Sequence, residues 1–285
     1  MPDFVNFDGA ILPSDKAILT ADNRSFRYGD GLFETIKVKN GRICLENYHF
    51  ERLMAGIQLL QFEPPSLFAP QFLAEKILHL CEKNGHSDLA RVRLVVFRGD
   101  GGLHDPVDPI PHYIIQSWPL AGSNDGINNE GLILGLFSDG RKSLDPFSNL
   151  KSNNYLLYVM AALYSRKNRF DDCLVLNSQH RVADSTIANL FYCKGNTVYT
   201  PPLSEGCVAG VMRRWLIDFL PRTGLSLLEK ETTVEDLQDA EGVFLTNALR
   251  GIQWVGSFCG TTYSNRLPLA VQRELAELAG LAGFL

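Results

Sequence analysis

The chain has 285 residues, 45% of them hydrophobic and 21% charged, which is enough apolar material for a large core in one large or two medium domains. A net charge of −5 and a pI near 5.7, without any Lys/Arg stripe interleaved with aromatics, exclude a nucleic-acid footprint. Six scattered cysteines form no CxxC pair and no His/Cys cluster at zinc spacing, so a reduced protein with no metal site is expected. The sequence does not open on a basic region followed by an apolar run, and no later stretch nears the roughly 18 apolar residues that span a bilayer. A cytoplasmic protein with no membrane partner is therefore expected.

In chain order, strand and helix signals alternate, which predicts a mixed α and β protein. Residues 4–7 and 10–12 flank Asp8-Gly9 as a short hairpin, and residues 32–38 and 42–45 flank Asn40-Gly41 as a second, with type I′ turn chemistry. Asn47 is placed to cap a helix that carries Phe50, Leu53, Met54, Ile57 and Leu60 at helical spacing, closed by Pro64-Pro65. A second helix is expected over 70–84, then β-rich runs over 90–97 and 112–118. The polar, Gly-containing segment 121–129 reads as a linker, dividing an N-terminal domain (1–120) from a C-terminal one (130–285).

The second half opens with a strand over 131–137. Lys151 follows at the expected start of a helix running to about Arg166, with Ser152 and Asn153 as caps and Leu156, Val159, Met160 and Leu163 as its buried stripe. Strands are expected over 173–176, 189–193, 197–200 and 242–246. Gly210 should open an amphipathic helix through Leu220, and a last helix should cover 267–278. Many strands around few helices predict a barrel-like sheet rather than a doubly wound one.

Four of these features suit an aldehyde cofactor such as pyridoxal phosphate. That cofactor needs a lysine amine for a Schiff base, a carboxylate against the pyridine nitrogen, and N–H groups with a cation around its phosphate. Lys151 offers the amine and Asp184 the acid. Arg52 offers the cation, and the glycine-led helix start Gly210-Val211-Met212 offers backbone donors at the positive end of a helix dipole. Each also has an ordinary reading: a solvated lysine, a turn aspartate, a helix-face arginine, a glycine cap.

Together, Tyr28-Gly-Asp-Gly-Leu-Phe-Glu-Thr35, the His-x-x-Arg-Leu at 49–53, Lys151 before Asn154-Tyr155-Leu156, Asp184 with Asn189-Leu-Phe191, and Gly210-Val-Met-Arg213 resemble the class IV aminotransferase family, the fold-type IV pyridoxal phosphate enzymes. The resemblance covers nearly the whole chain. It implies a D-amino-acid aminotransferase-like fold, with a smaller N-terminal α/β domain, a larger C-terminal pseudo-barrel domain, the cofactor between them, and a homodimer acting on a small-molecule amino substrate. By position it implies that Lys151 holds the cofactor and shuttles the substrate Cα proton. Arg52 and the amides of Val211 and Met212 would grip the phosphate, with Asn247 and Ala248 completing that cup. Tyr28, Arg93 and Arg98 would lie on the substrate side, where the residues alone also allow a packed tyrosine and two solvent-facing strand arginines.

Several positions depart from the family. Asp184 replaces the usual Glu and is one methylene shorter, by about 1.5 Å. Met212 and Ala248 stand where threonine hydroxyls are common, and Trp254 where proline is. The segments 207–213 and 245–251 resemble the aminodeoxychorismate lyase branch, which forms 4-aminobenzoate and pyruvate for folate synthesis. The alternatives are an aminotransferase of branched-chain or D-amino acids that uses a 2-oxo acid, and a cofactor-binding relative without turnover.

Overall fold

The structure, a computed structural model, describes residues 3–120 and 128–282. Within it the chain divides into two compact units: Met1–Gly122 with Lys151–Tyr155, and Ser123–Leu150 with Leu156–Leu285. Most of the expected linker, 121–127, lies outside the described residues.

The first unit contains β1 (Phe4–Phe7), β2 (Ala10–Pro13), α1 (Arg24–Tyr28), β3 (Gly31–Lys39), β4 (Arg42–Ile43), α2 (Glu46–Leu59), α3 (Pro70–Lys83), β5 (Leu89–Arg98) and β6 (Pro111–Pro119). Its strands form one antiparallel sheet in the order β2-β1-β6-β5-β3-β4. Both hairpin turns use the expected left-handed pairs, Asp8-Gly9 and Asn40-Gly41, all at positive φ. Ile36 and Val38 of β3, Leu94 of β5, Leu53 of α2 and Ile77 of α3 are fully buried between sheet and helices. Asn47 does not cap α2. Leu45, itself left-handed, is the capping position and has no side-chain cap bond, so Asn47 falls inside the first turn.

The strand β4 pairs only with Val38 and Lys39, which leaves the first half of β3 with an open edge. Residues 151–153 occupy that edge. The Phe33 N–H donates to the Lys151 carbonyl (2.9 Å), the Asn153 N–H donates to the Gly31 carbonyl (2.9 Å), and Leu32 and Ser152 form an antiparallel bridge.

The second unit contains β7 (Leu132–Lys142), α4 (Leu156–Asn168), β8 (Asp172–Asn177), β9 (Val182–Ser185), β10 (Asn189–Lys194), β11 (Thr197–Thr200), α5 (Val211–Phe219), β12 (Ser226–Glu229), α6 (Val234–Gln238), β13 (Gly242–Asn247), β14 (Gly251–Phe258), β15 (Thr261–Thr262) and α7 (Arg266–Ala282). The sheet runs β12-β11-β10-β13-β14-β7-β8-β9, with β15 paired to β14. It is mixed: β11–β12, β14–β7 and β7–β8 are parallel and the other pairs antiparallel. Leu134, Leu174, Leu190, Val243, Val255 and Phe258 meet in its core.

Two expectations about the lysine region are overturned. The helix α4 begins at Leu156, five residues beyond Lys151, so Ser152 and Asn153 are not caps and Lys151 is extended chain. Nor does the apolar stripe of α4 face the core. Leu156, Val159, Met160 and Leu163 are 68%, 48%, 47% and 54% exposed, and the buried face consists of Tyr158, Ala161 and Ser165. Asp184, expected amid turn residues, lies inside β9, where it pairs with Val175 of β8.

Candidate active site

The first unit places Lys151 through glycines. Gly29 closes α1 in the left-handed conformation. At Gly31 a Cβ would lie 2.4 Å from the Val96 carbonyl oxygen and 2.6 Å from Asn153 Nδ2, so only glycine lets the lysine segment approach the strand. Asn153 Nδ2 also donates to Ser25 Oγ (2.8 Å). The Gly-Asp-Gly motif and the residues after Lys151 are thus two halves of one junction.

At that junction the Lys151 Nζ sits 4.4 Å from the Phe33 ring centroid and 5.6 Å from that of Tyr155, and the two rings meet edge to face at 5.4 Å. The Arg93 guanidinium also lies over Phe33, at 4.0 Å. Beside them β3 presents Glu34 to α2. Arg52 donates through Nε (2.8 Å) and Nη2 to the two Glu34 oxygens, and His49 Nδ1 lies 2.7 Å from Glu34 Oε2. Burial alone would push the Glu34 carboxyl up, but the Arg52 guanidinium and the His49 ring override it and hold the group at about 2. Burial lowers His49 below its ordinary value against the pull of Glu34, and the positive charges of Arg52 and Lys151 add to that lowering. A neutral His49 facing an ionised Glu34 carries its proton on Nδ1. Its buried Nε2 then presents a lone pair, which finds no partner among the described residues.

The other expected residues of this unit are placed as follows. Tyr28 ends α1, exposed, with Arg24 and Arg27 against its ring. Arg98 does not face solvent: it is buried over Phe62, paired with Asp30 and bonded to the Leu60 carbonyl.

The second unit assembles a second constellation. Asp184 is buried, 2% exposed, and accepts from the Tyr158 hydroxyl (2.9 and 3.1 Å) and from the Val208 N–H (2.9 Å). The loop that leads into α5 is tied down at several points. Asn189 Nδ2 donates to the Val208 carbonyl (2.8 Å), and the Ala209 N–H donates to the Asn149 carbonyl (3.0 Å). A Cβ on Gly210 would lie 1.8 Å from Asn189 Oδ1, so a larger residue here would have to displace the Asn189 side chain. Immediately beyond, Val211 and Met212 open α5 with first-turn amides that have no partner within the helix. Asn247 Oδ1 accepts from the N–H groups of Leu249 (3.0 Å) and Arg250 (2.9 Å), shaping the turn that contains Ala248. Asn247 also lines a cavity of about 270 Å³ with Asp172, Ile187, Arg250 and Gln253.

Glu34, His49, Lys142 and Tyr158 are not among the site residues that the sequence pointed to. For Glu34 a signal existed, since an acid inside a strand of apolar residues is seldom buried without a partner.

The chain as a whole is similar to known proteins. The model of the family described as amino-transferase class IV matches residues 31–258. The chain belongs to the class IV aminotransferase family. It is therefore an enzyme of that family. An aminodeoxychorismate lyase of Vibrio harveyi is 32% identical over 266 residues, covering 90% of this chain and 93% of that protein. A D-alanine aminotransferase of Bacillus licheniformis is 23% identical over 93% of this chain and 91% of its own length. Among solved structures, the branched-chain aminotransferase of Thermoproteus uzoniensis superposes with a TM-score of 0.86 at 22% identity, covering 97% of this chain and 94% of that one. A hypothetical aminotransferase of Mycobacterium tuberculosis in its PLP-bound form does so at 0.82 and 20% identity, covering 96% and 97%. The fold is the fold-type IV aminotransferase fold. Among the described residues no helix is long and apolar enough to cross a membrane, and no group of His, Cys, Asp and Glu could hold a metal ion.

Two outcomes follow from this geometry. Because the folded Glu34 value is depressed from 4.5 to about 2, its contribution to stability is complete above pH 4.5 and lost as pH falls toward 2. His49, lowered from 6.5, works in the same direction: below pH 6.5 the unfolded chain takes up a proton that the folded site resists. Glu34→Gln should cost about 3 kcal/mol at neutral pH by leaving Arg52 buried without its carboxylate, and should flatten the fall in Tm between pH 5 and 3. A parallel fall in both proteins would contradict the pairing. In hydrogen exchange, Gly31→Ala should speed exchange at the Phe33 and Asn153 amides by tenfold or more; unchanged protection would mean that the added methyl is accommodated.

Proposed function

We propose that this enzyme binds pyridoxal 5′-phosphate and catalyses an aminodeoxychorismate lyase-type reaction, releasing 4-aminobenzoate and pyruvate from an amino substrate. The observation that carries the lyase reading is the 32% identity to a lyase of that name along nearly the full length of both chains. The residues fit the cofactor on structural grounds as well. Gly210 leaves no room for a Cβ beside Asn189, the amides of Val211 and Met212 open a helix at the positive end of its dipole, and Asp184 is a buried carboxylate held by hydrogen-bond donors.

When bound, the cofactor supplies an aldehyde for covalent attachment and an electron-withdrawing ring. The chain supplies the rest. Lys151 provides the attaching amine and afterwards moves the proton at the substrate Cα. The edge pairing of residues 151–153 with β3 fixes the start of that side chain. Arg52 serves the phosphate, its guanidinium oriented by Glu34. With Met212 and Ala248 in place of hydroxyl residues, the backbone amides of the α5 start and of the Asn247–Ala248 turn carry more of that grip. Asp184 serves the ring nitrogen. Tyr28 and Arg93 serve the substrate side, and Arg98, committed to Asp30, acts there by holding the Gly29–Gly31 turn.

A second reading, an aminotransferase, has support from the D-alanine aminotransferase relative. We further infer a homodimer in the cytoplasm. The exposed apolar stripe of α4 has the composition of a buried interface, and a second copy of this chain would cover it.

Incubating the enzyme with aminodeoxychorismate should release 4-aminobenzoate without any 2-oxo acid, and Lys151→Ala should abolish release. Glutamate formation from an amino acid and 2-oxoglutarate would favour the aminotransferase instead, and no turnover on either, with cofactor bound, would favour an inert relative. In light scattering the protein should run at twice the chain mass, and Val159→Glu should shift it to one chain mass. A monomeric wild type would contradict the dimer.

A further inference from the structure

We propose that Lys142 and Tyr158 are positioning residues: a buried hydrogen-bonded relay that orients the Asp184 carboxylate and balances its charge. The inference rests on the reading in which Asp184 serves the cofactor ring.

Lys142 is the last residue of β7 and is 7% exposed. A buried ammonium needs acceptors, and its Nζ finds two: the Ser148 carbonyl (2.8 Å) and the Tyr158 hydroxyl (2.7 Å). That contact sets the direction of the next. An ammonium can only donate, so it occupies a lone pair of the phenol oxygen, and the single phenol proton points at Asp184. The Tyr158 hydroxyl lies 2.9 Å from Asp184 Oδ2 and 3.1 Å from Oδ1, while the Val208 N–H reaches Oδ2 from the other side at 2.9 Å. The relay therefore runs ammonium, phenol, carboxylate.

Two consequences follow. The negative charge of Asp184 faces a cation one hydroxyl away inside the fold. The carboxylate plane is also fixed, because donors hold both of its oxygens. A short aspartate has fewer rotamers than glutamate and cannot reach out to adjust, so its scaffold has to set its position. The base of the relay is rigid as well. Ser148, whose carbonyl accepts a hydrogen bond from Lys142, is held through its hydroxyl by Ser143 and Asp145, and Tyr158 lies on the buried face of α4.

The test is a titration of the apoprotein with pyridoxal phosphate, read as the dissociation constant and as the absorbance of the bound cofactor, with the Tm of each apoprotein as the folding control. Asp184→Asn should weaken binding and shift the absorbance. Tyr158→Phe, which keeps the volume of the ring, should weaken binding roughly tenfold, the scale of one charge-assisted hydrogen bond, and shift the absorbance in the same direction. Lys142→Met should do the same, and Lys142→Arg should restore most of the affinity. In the Asp184→Asn background, Tyr158→Phe should add nothing, because the acid through which it acts is already gone. Wild-type affinity and absorbance in Tyr158→Phe beside a defective Asp184→Asn would overturn the relay, as would additive losses in the double variant. An unaltered Asp184→Asn would instead remove Asp184 from the cofactor, and the relay with it. Should Lys142→Met fail to fold, the Tyr158→Phe results decide alone.

Discussion

The structure depends on a sheet edge left open for three residues. β4 is so short that it covers only the far end of β3, and the backbone of Lys151–Asn153 completes the near end with the two hydrogen bonds of one antiparallel bridge. A lysine on a free loop would sample many positions, whereas one whose carbonyl is bonded into a buried strand starts from a fixed point. The two glycines of the Tyr28–Thr35 motif exist for this junction: one ends α1 with a left-handed residue, and the other removes the Cβ that would otherwise strike Asn153.

Each unit also manages buried charges of its own. In the first unit Glu34 gathers Arg52 and His49, taking two hydrogen bonds from the guanidinium, while burial lowers His49 against the pull of that carboxylate. In the second, Asp184 collects the Val208 amide and the Tyr158–Lys142 pair. Both arrangements follow the same rule: a buried ion persists where opposite charge and aligned donors replace the lost water. Both also tie distant segments together, since the Val208 contact fastens the loop before α5 to β9, and Arg52 fastens α2 to β3.

Much of this was legible in the sequence where a motif reports a local backbone need. Asn40-Gly41 specified its turn, Pro70 its helix start, and Gly210 the start of α5, because each effect is confined to a few neighbouring residues. The lysine, the acid and the arginine are marked by the chemistry they could serve and by the resemblance, but their settings are not. Asp184 stands among Ser and Thr and reads as a turn, yet its strand is set by pairing with β8, which no local pattern reports. On α4 the helical spacing of Leu156, Val159, Met160 and Leu163 marks a real stripe, but periodicity does not say what covers it. The face packed inside the chain carries Tyr158 instead, chosen for a hydroxyl. Lys142 is 16 residues from Tyr158 and 42 from Asp184 in sequence, so their contact became visible only with the sheet in place.

The account stands on the amine of Lys151. Reducing the pyridoxal phosphate-loaded protein with borohydride and mapping its peptides by mass tests this directly, because reduction makes the attachment permanent. The expected result is one phosphopyridoxyl group per chain, on Lys151, in the peptide that also contains Asn153 and Tyr155. An adduct on Lys142 or any other lysine, or none at all, would contradict it.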